Sequence, residues 1–539
     1  MAGVTIEYDV PVPMRDGVVL RADVYRPEGP GPWPVIVSRT PYDKTDNYEL
    51  QFLDPLLAAR RGLIAVVQDV RGRFASEGEF VPLVNEAADG ADTIEWAAQL
   101  PGSSGAVGMW GISYLGNVQW QAAGLDPTAL KAIAPSLTFR ETDNGLAFRG
   151  GAHELGLVRS WALMMGFDVL TRRHAGNDEE LKKQVAALAA AFDGIPGPTY
   201  QELPTGKDPL VARWDLPNLA DQATMAAGDV PAHQENVTVP SLHVAGWYDV
   251  FVQATIDNYT AAARRPGARL VVGPWNHLAL TGMQGDINFG IEGSGAAIDV
   301  LGLTFDWLRT CLTTGEAPDD DLPVQLYVMG AGEWRSEPEW PLSRAVDTRF
   351  HLGPDARLTT DGQPAPATLT FTYDPRNPVP TVGGATVMPY PPPGSFDQRV
   401  AEKRDDVLVF TTDVLAEDIE VTGRITASLT VATDGPTTDW VVRLCDVHPD
   451  GRSYNVVDGI TRVEAVPGEA SAVEVDLWST SMLFKRGHRI RVQVTSSCFP
   501  RWDRNLNTAD GLRTGEMRVA SQTLHVGGDA RSFVTLPIV

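Results

Sequence analysis

The chain has 539 residues, of which 43% are hydrophobic and 21% charged, and its formal net charge is −25. This length exceeds one ordinary core and predicts two or three domains of a globular protein. The negative charge would repel phosphate backbones and anionic lipid surfaces, so we expect no nucleic-acid partner and no membrane partner.

The sequence carries no sign of export or of a bound metal. Residues 1–15 lack the segments of a secretory signal, and no run reaches the length of a membrane span. Cys311, Cys445 and Cys498 are widely spaced, which favours buried free thiols over disulfides or zinc ligands. Histidines and carboxylates do not cluster at metal-ligand spacing. We therefore expect a cytoplasmic protein with no metal site and no cofactor.

Residues 1–140 have the pattern of strands alternating with helices. Short apolar runs at Val35–Val37 and Leu63–Val67 are typical of strands buried on both faces of a parallel sheet. Helical spacing of apolar residues runs from Glu86 to Leu100, and further strands are predicted at Val107–Trp110 and Ala132–Ala134. This alternation predicts a doubly wound α/β sheet.

Residues 141–239 interrupt that alternation. Apolar side chains recur at helical spacing in an Ala-rich stretch, at Leu181, Val185, Leu188 and Phe192. We predict an α-helical insertion that caps one edge of the sheet domain. The α/β pattern resumes over residues 240–344, with strands at Ser241–Ala245 and Arg269–Val272 on either side of a helix at Phe251–Arg264.

Residues 345–539 lose the helical signal. Val473, Val475 and Leu477 alternate with acidic residues, and a second alternating run begins at Ile490. Short strands separated by Gly and Pro predict a C-terminal β-sandwich, of the jelly-roll type. The predicted fold class is therefore α/β with an inserted helical cap and an added β-sandwich.

Ser113 is the strongest functional signal. It stands between a buried strand and a predicted helix, within Gly111-Ile-Ser-Tyr-Leu-Gly116, which is the context of a nucleophile elbow. Leu115 departs from the common pattern, which has Gly two residues after the serine. A serine in this position could instead cap the helix, as many do.

Asp249 and His277 complete a candidate triad. Elbow hydrolases place the acid and then the histidine after the serine, each on a loop that follows a strand. The predicted strand Ser241–Ala245 leads to Asp249, and the next one, Arg269–Val272, leads to His277. His277 would take the serine proton while Asp249 fixes its tautomer. His153 is a second candidate base, and His243 has the context of a core histidine.

The chain resembles the cocaine esterase group within the X-prolyl dipeptidyl peptidase superfamily. Three motifs carry the resemblance in order: the elbow, Gly246-Trp-Tyr-Asp249 and Gly273-Pro-Trp-Asn-His277. Leu115 agrees with the Gly-x-Ser-Tyr-x-Gly pattern of this family. Similarity also covers the segments starting at Arg39, Gln68 and Tyr373, so it extends along the whole chain.

The resemblance implies an α/β-hydrolase domain, a helical cap and a jelly roll. It implies that the hydroxyl of Tyr42 and the backbone N–H of Tyr114 form the oxyanion hole. It also implies that Trp161 and Phe251 surround the acyl group, although core packing is an equal alternative for both. A homodimer is a further implication. Asp69-Val-Arg-Gly-Arg73 is interpreted as an Asp–Arg network that braces the active-site face.

Three hypotheses about function follow. The first is a serine carboxylesterase that acts on small-molecule esters with a bulky or aromatic acyl group. The second is an X-prolyl dipeptidyl peptidase or an amide-hydrolysing acylase, including an α-amino acid ester hydrolase, with the same triad. The third is a non-enzymatic binding protein, against which the complete set of Ser113, Asp249 and His277 argues.

Overall fold

A computed structural model describes residues 3–193, 228–362, 364–387, 391–509, 515–528 and 532–539. Within the described ranges, fourteen strands precede residue 338: β1 (Val4–Pro13), β2 (Val19–Pro27), β3 (Trp33–Thr40), β4 (Ile64–Asp69), β5 (Ser103–Ile112), β6 (Leu130–Ser136), β7 (Phe148–Arg149), β8 (Ala152–His153), β9 (Ser241–Tyr248), β10 (Ala268–Asn276), β11 (Met283–Gln284), β12 (Ile287–Asn288), β13 (Val324–Val328) and β14 (Glu333–Glu337). Ten of them form one sheet, in the order β1-β2-β4-β3-β5-β6-β9-β10-β13-β14. The strands from β4 to β13 in this order are parallel, and antiparallel pairs close both edges.

Helices cover both faces of this sheet. They are α1 (Asn47–Leu53), α2 (Pro55–Arg60), α3 (Glu86–Ala98), α4 (Tyr114–Ala123), α5 (Leu155–Arg173), α6 (Asp178–Asp193), α7 (Pro231–Gln234), α8 (Val252–Ala262), α9 (Val300–Thr314) and α10 (Arg399–Glu402), of which α5 and α6 belong to the segment inserted between β6 and β9 and the last lies beyond the sheet. Val35 and Val37 pack towards α3 and α4, whereas Ile36 between them packs towards α2 and α9. Burial on both faces explains why these strands are uninterrupted apolar runs.

The segment between β6 and β9 contains the small β7–β8 hairpin and the long helices α5 and α6. The predicted helical pattern at Leu181, Val185 and Leu188 falls on α6. Residues 194–227 of the predicted insertion lie outside the described residues. Across the described ranges, no helix combines the length and the apolar character needed to cross a bilayer.

The C-terminal region consists mostly of two antiparallel sheets. The first contains β15 (Val346–Leu352), β16 (Leu358–Thr359), β17 (Ala367–Tyr373), β19 (Ile419–Thr433), β22 (Ser471–Phe484), β24 (Ala520–Val526) and β25 (Phe533–Ile538), and the second contains β18 (Leu408–Thr411), β20 (Thr437–Val447), β21 (Ser453–Glu464) and β23 (Arg489–Thr495). The alternating run at Val473, predicted from the sequence, falls on β22. Apolar residues of both sheets share one core cluster.

The two regions of the chain are packed together. The shared core cluster extends from the C-terminal sheets to Tyr248 at the end of β9 and Ile256 in α8. At the β7–β8 hairpin, Asp503 accepts a hydrogen bond from the backbone of His153 at 2.9 Å, and Glu154 accepts one from the Trp502 indole at 2.7 Å. These contacts fix the start of the helical insertion against the C-terminal region.

Candidate active site

The backbone at Ser113 is held in a strained turn between β5 and α4. Ser113 has φ 56° and ψ −123°, a conformation that L residues rarely adopt. Gly111 precedes it with φ 145°, and a Cβ there would lie 2.6 Å from the Cβ of Leu115. Only glycine fits this place, so the turn depends on the Gly111-x-Ser113 spacing.

The structure also gives a reason for Gly116. A Cβ at Gly116 would lie 2.7 Å from the Cβ of Thr138, in the loop after β6. Thr138 in turn donates a hydrogen bond from its hydroxyl to the Ser113 carbonyl at 2.6 Å. Leu115, by contrast, is fully buried in the core. Helix α4 therefore approaches Thr138 closely at residue 116 and needs a glycine there. This explains why the glycine stands three residues after the serine, one residue later than in the common pattern.

Ser113, His277 and Asp249 form a continuous hydrogen-bonded chain. Asp249 follows β9 and His277 follows β10, which are adjacent parallel strands, so their ends lie side by side. The His277 Nε2 atom lies 3.0 Å from the Ser113 Oγ, and its Nδ1 lies 2.7 Å from the Asp249 Oδ1. The carboxylate of Asp249 is completely buried, and no donor among the described residues reaches its Oδ2. Its charge is therefore available to stabilise a protonated imidazole.

Tyr42 and Tyr114, which were expected to supply the oxyanion donors, both belong to the surroundings of Ser113. Tyr42 follows β3 and lines the same cavity as Ser113. Its backbone N–H donates to the Thr40 hydroxyl at 3.0 Å, which fixes the loop. Tyr114 is the first residue of α4, and the N–H of such a residue has no partner within its own helix.

The side chain of Tyr114 is committed elsewhere. Its hydroxyl donates to Glu86 Oε1 at 2.8 Å and accepts from the backbone N–H of Leu83 at 2.9 Å. Glu86 also forms a buried ion pair with Arg39 at 2.6 Å. Burial raises the pKa of Tyr114 well above its usual value. The side chain therefore anchors the start of α4 and leaves only the backbone N–H for an oxyanion.

The Asp69–Arg73 segment braces the Tyr42 loop, but with partners other than those expected. Asp69 accepts a hydrogen bond from the backbone N–H of Lys44 at 2.8 Å and pairs with the ammonium of Lys44 at 3.5 Å. Its partner is therefore a lysine and not the expected arginine. Burial raises the pKa of Asp69 to about 6. Arg71 pairs with Asp89 at 2.6 Å, away from Asp69. The expected Asp–Arg network therefore needs correction, because the segment turns after Asp69 and separates these side chains.

Arg73 links the Tyr42 loop to the helical insertion. Its Nε donates to the carbonyl of Pro41 at 2.9 Å, and its guanidinium pairs with Asp168 of α5 at 3.2 Å. Arg73 is almost completely buried, so these contacts are well shielded from water. Leu157, Trp161 and Asp168 recur at helical spacing and so share one face of α5. This spacing could have indicated from the sequence that the three side chains face the same part of the molecule.

A cavity of about 580 Å³ opens over Ser113 and His277. Helix α5 contributes Trp161 to its lining, together with Leu157, Ser160, Met164, Met165, Phe167 and Asp168, and the C-terminal region contributes Val387. The other lining residues are Tyr42, Asp43, Asp46, Arg73, Phe74, Ile112 and Leu278. Three parts of the chain thus contribute to one site. Of the α5 residues, the sequence indicated only Trp161 for this site; the others and Val387 were not found from the sequence.

Phe251 does not take the place expected for it. It is buried and is not among the described residues that line the cavity. Its ring meets the imidazole of His277 edge-on, with centroids 5.1 Å apart, and it also contacts the ring of Phe139, with centroids 5.5 Å apart. This position agrees with core packing, the alternative to the expected contact with the acyl group: Phe251 directly precedes α8 and packs against His277.

The other histidines lie away from this cavity. His153 is buried against the C-terminal region and does not line the cavity. His243 is buried in β9, where its Nε2 lies 2.9 Å from the Ser241 hydroxyl and its Nδ1 has no partner among the described residues. Burial lowers the pKa of His243 to about 3. It is a core histidine, as predicted, but only half of its hydrogen-bonding capacity is used.

The structure brings together three potential metal ligands that the sequence did not indicate. Asp446, His448 and His488 bring their potential ligand atoms within 4.8 Å of one another. Asp446 and His448 are separated by a single residue, but His488 joins them only because β20 and β23 are neighbours. Spacing along the chain could not reveal this cluster.

Comparison with known proteins places the chain in a family. Residues 16–279 match the family described as X-Pro dipeptidyl-peptidase (S15 family), and residues 316–535 match the X-Pro dipeptidyl-peptidase C-terminal non-catalytic domain. The chain therefore belongs to the S15 family, with an N-terminal catalytic domain and a C-terminal non-catalytic domain. It is 37% identical to cocaine esterase from Rhodococcus sp., over 99% of each chain.

Two solved structures share the fold. An aminopeptidase from a marine sediment archaeon, Thaumarchaeota archaeon, has a TM-score of 0.80 at 24% identity, covering 100% of this chain and 96% of that one. An α-amino acid ester hydrolase has a TM-score of 0.78 at 24% identity, covering 99% and 97%. At this level of identity the likeness concerns the architecture.

Proposed function

We propose that the protein is a serine carboxylesterase that forms an acyl-enzyme on Ser113. The hydrogen-bonded chain from Ser113 through His277 to Asp249, set on a strained elbow, is the observation that carries this proposal. The similarity to cocaine esterase over nearly the whole chain supports an ester as the substrate. The three side chains follow the ends of three parallel strands, an arrangement typical of elbow hydrolases.

In the proposed mechanism, the Oγ of Ser113 attacks the ester carbonyl carbon while the Nε2 of His277 accepts the serine proton. The Tyr42 hydroxyl and the Tyr114 N–H stabilise the oxyanion that forms. When the tetrahedral intermediate collapses, the alcohol leaves with the proton from His277. A water molecule then repeats the sequence, releasing the acid and restoring the hydroxyl of Ser113.

We further propose that the substrate has a bulky or aromatic acyl group. The cavity is large for an acetyl group, and much of its lining is apolar, including Trp161, Met165 and Leu157. An aromatic acyl group would bury apolar area there and contact the Trp161 ring. Phe251 plays no direct part in this contact and is proposed to position His277.

The architecture supports the finer domain proposal. We assign residues 1–140 and 240–344 to an α/β-hydrolase domain, 141–239 to a helical cap and 345–539 to a jelly roll. The parallel strands, the long helices α5 and α6, and the two antiparallel C-terminal sheets support these assignments. A reducing, cytoplasmic location is proposed because Cys311, Cys445 and Cys498 are all buried free thiols.

Labelling with a fluorophosphonate probe tests the central proposal. The wild-type protein should react at one serine, and Ser113→Ala should abolish the reaction. Ser160 lines the same cavity, but its hydroxyl has no hydrogen-bond partner among the described residues, so Ser160→Ala is a matched control that should label normally. Labelling that persists in Ser113→Ala and disappears in Ser160→Ala would refute the assignment.

A second candidate is hydrolysis of amino-acyl esters or peptides. Asp43 and Asp46 place two carboxylates on the cavity lining, where they could attract a substrate ammonium. Kinetics on a p-nitrophenyl ester and on an Ala-Pro anilide distinguish the two functions. Clear preference for the anilide would favour the peptidase, and preference for the neutral ester would favour the carboxylesterase.

A further inference from the structure

A second group of reactive side chains lies in the C-terminal region, apart from the triad. Asp446 belongs to β20, His448 follows the end of that strand, and His488 immediately precedes β23. The two strands are antiparallel neighbours, with Val447 opposite Arg489. The pairing therefore brings the two histidines to the same end of the sheet, next to the carboxylate.

The three side chains converge closely. His488 Nδ1 lies 2.9 Å from Asp446 Oδ1 and 3.0 Å from Oδ2. His448 Nε2 lies 3.2 Å from Asp446 Oδ2. The two imidazole rings have centroids 4.5 Å apart. All three groups therefore direct a potential metal ligand into one small volume.

Within the described ranges, the buried carboxylate of Asp446 has only imidazoles as ion-pair partners. The residue is only 2% exposed, and a buried carboxylate is unfavourable unless it is paired. Among the described residues, its ion-pair partners are His448 and His488, with no lysine or arginine within 4.0 Å. A cation held by all three side chains would balance the carboxylate.

We propose that Asp446, His448 and His488 bind a divalent first-row transition metal ion of the Zn²⁺ type. Imidazole nitrogens select zinc and its neighbours over Mg²⁺ and Ca²⁺, which prefer oxygen ligands. Ligands at about 2.0–2.1 Å around tetrahedral zinc stand roughly 3.3 Å apart. The separations of 2.9–3.2 Å between the carboxylate and the two imidazoles need little change to match this spacing.

The surroundings suit a site with three protein ligands and one water. The side chain of His448 is 29% exposed, which gives an ion access from solvent and room for a fourth ligand. The backbone is fixed nearby, since the His448 N–H donates to the Arg452 carbonyl and the His488 N–H to the Lys485 carbonyl, both at 2.9 Å. The ion would join the β20–β21 turn to the start of β23 and stabilise this sheet.

Calorimetric titration of untagged, chelator-treated full-length protein with ZnCl₂ tests the proposal. The wild type should bind one equivalent, and zinc should raise the midpoint of thermal unfolding. His448→Gln and His488→Gln should each weaken binding at least about tenfold, by analogy with the loss of a metal-site partner. His525→Gln removes a histidine from the other C-terminal sheet and should leave binding unchanged.

Far-UV circular dichroism establishes that each variant is folded, and His448→Gln, in a partly exposed turn, is the least disruptive of them. Cobalt provides a second readout, because bound Co²⁺ should show visible absorption that is lost in the same variants. Absence of zinc binding in the wild type, or equal binding in the wild type and His448→Gln, would overturn the proposal. The cluster would then be a hydrogen-bonded His–Asp–His group.

Discussion

The indole N–H of Trp161 donates a hydrogen bond to the hydroxyl oxygen of Tyr42, at 3.0 Å. This bond joins the helical insertion to the loop after β3, and both residues line the cavity that contains Ser113. Because the indole occupies an acceptor position of the phenol, the phenolic O–H can turn towards another acceptor. One residue thereby orients the proposed oxyanion donor and also lines the acyl cavity.

Replacement of Tyr42 by Phe should lower kcat by about 10²–10³ and leave KM nearly unchanged. The hydroxyl would stabilise charge that exists only in the transition state. Trp161→Phe keeps an aromatic ring at position 161 and leaves the Tyr42 hydroxyl in place, but it removes the N–H that orients this hydroxyl. Its effect on kcat should therefore be smaller than that of Tyr42→Phe. Steady-state kinetics on one p-nitrophenyl ester measure both. A Tyr42→Phe enzyme with wild-type kcat would exclude this tyrosine from the oxyanion hole.

Ser113→Ala and His277→Ala should each reduce kcat by at least about 10³, and the double variant should be no worse than either single variant. Residues that act as one catalytic unit lose their function together. Single-turnover measurements on the three variants provide the comparison. Additive losses in the double variant would show that the two side chains act independently.

The wild type should hydrolyse p-nitrophenyl benzoate with a higher kcat/KM than the acetate, by up to about tenfold. An aromatic contact with Trp161 contributes roughly 0.5–1.5 kcal/mol beyond burial. Trp161→Leu should lose this preference, whereas Trp161→Phe should keep most of it. If acetate is preferred by the wild type, Trp161 serves only as packing and as a donor to Tyr42.

Acid should destabilise the protein in part through His243. Burial lowers the pKa of this imidazole to about 3, whereas in the unfolded chain it titrates near 6.5. Between these values the unfolded state binds the extra proton, so the free energy of unfolding falls as the pH drops. The contribution is complete above pH 6.5 and loses about 1.4 kcal/mol per pH unit below it.

His243→Gln removes this titration while keeping a hydrogen-bonding group next to Ser241. From pH 7 to pH 5 the wild type should lose about 2 kcal/mol more stability than the variant. Urea unfolding of both proteins at the two pH values measures the difference. An equal loss in the two proteins would mean that His243 accepts a proton within the fold.

Dialysis against EDTA should leave kcat for ester hydrolysis unchanged, because no step of the proposed mechanism uses a metal. The proposed ion at Asp446 would affect the midpoint of thermal unfolding instead. Activity and thermal unfolding measured on the same samples separate the two effects. Loss of activity that Zn²⁺ restores would connect the cluster to the chemistry at Ser113.

The local sequence determined the elements that carry the proposed triad. Ser113, Asp249 and His277 each follow a strand whose apolar run is visible in the sequence, and parallel strand ends lie at one edge of a sheet. The motifs also indicated the family, which the comparisons confirmed. These features depend on neighbours a few residues apart, and periodicity reports such neighbours directly.

Contacts between distant segments were decided only by the tertiary structure. Phe251 stands two residues after Asp249, yet the turn into α8 places its ring behind His277 and outside the cavity. Val387 reaches that cavity from the C-terminal region, and His488 meets Asp446 across two paired strands. Strand register and the packing of separate layers set these contacts, and a one-residue change in the pairing of β20 with β23 would turn Asp446 away from His488.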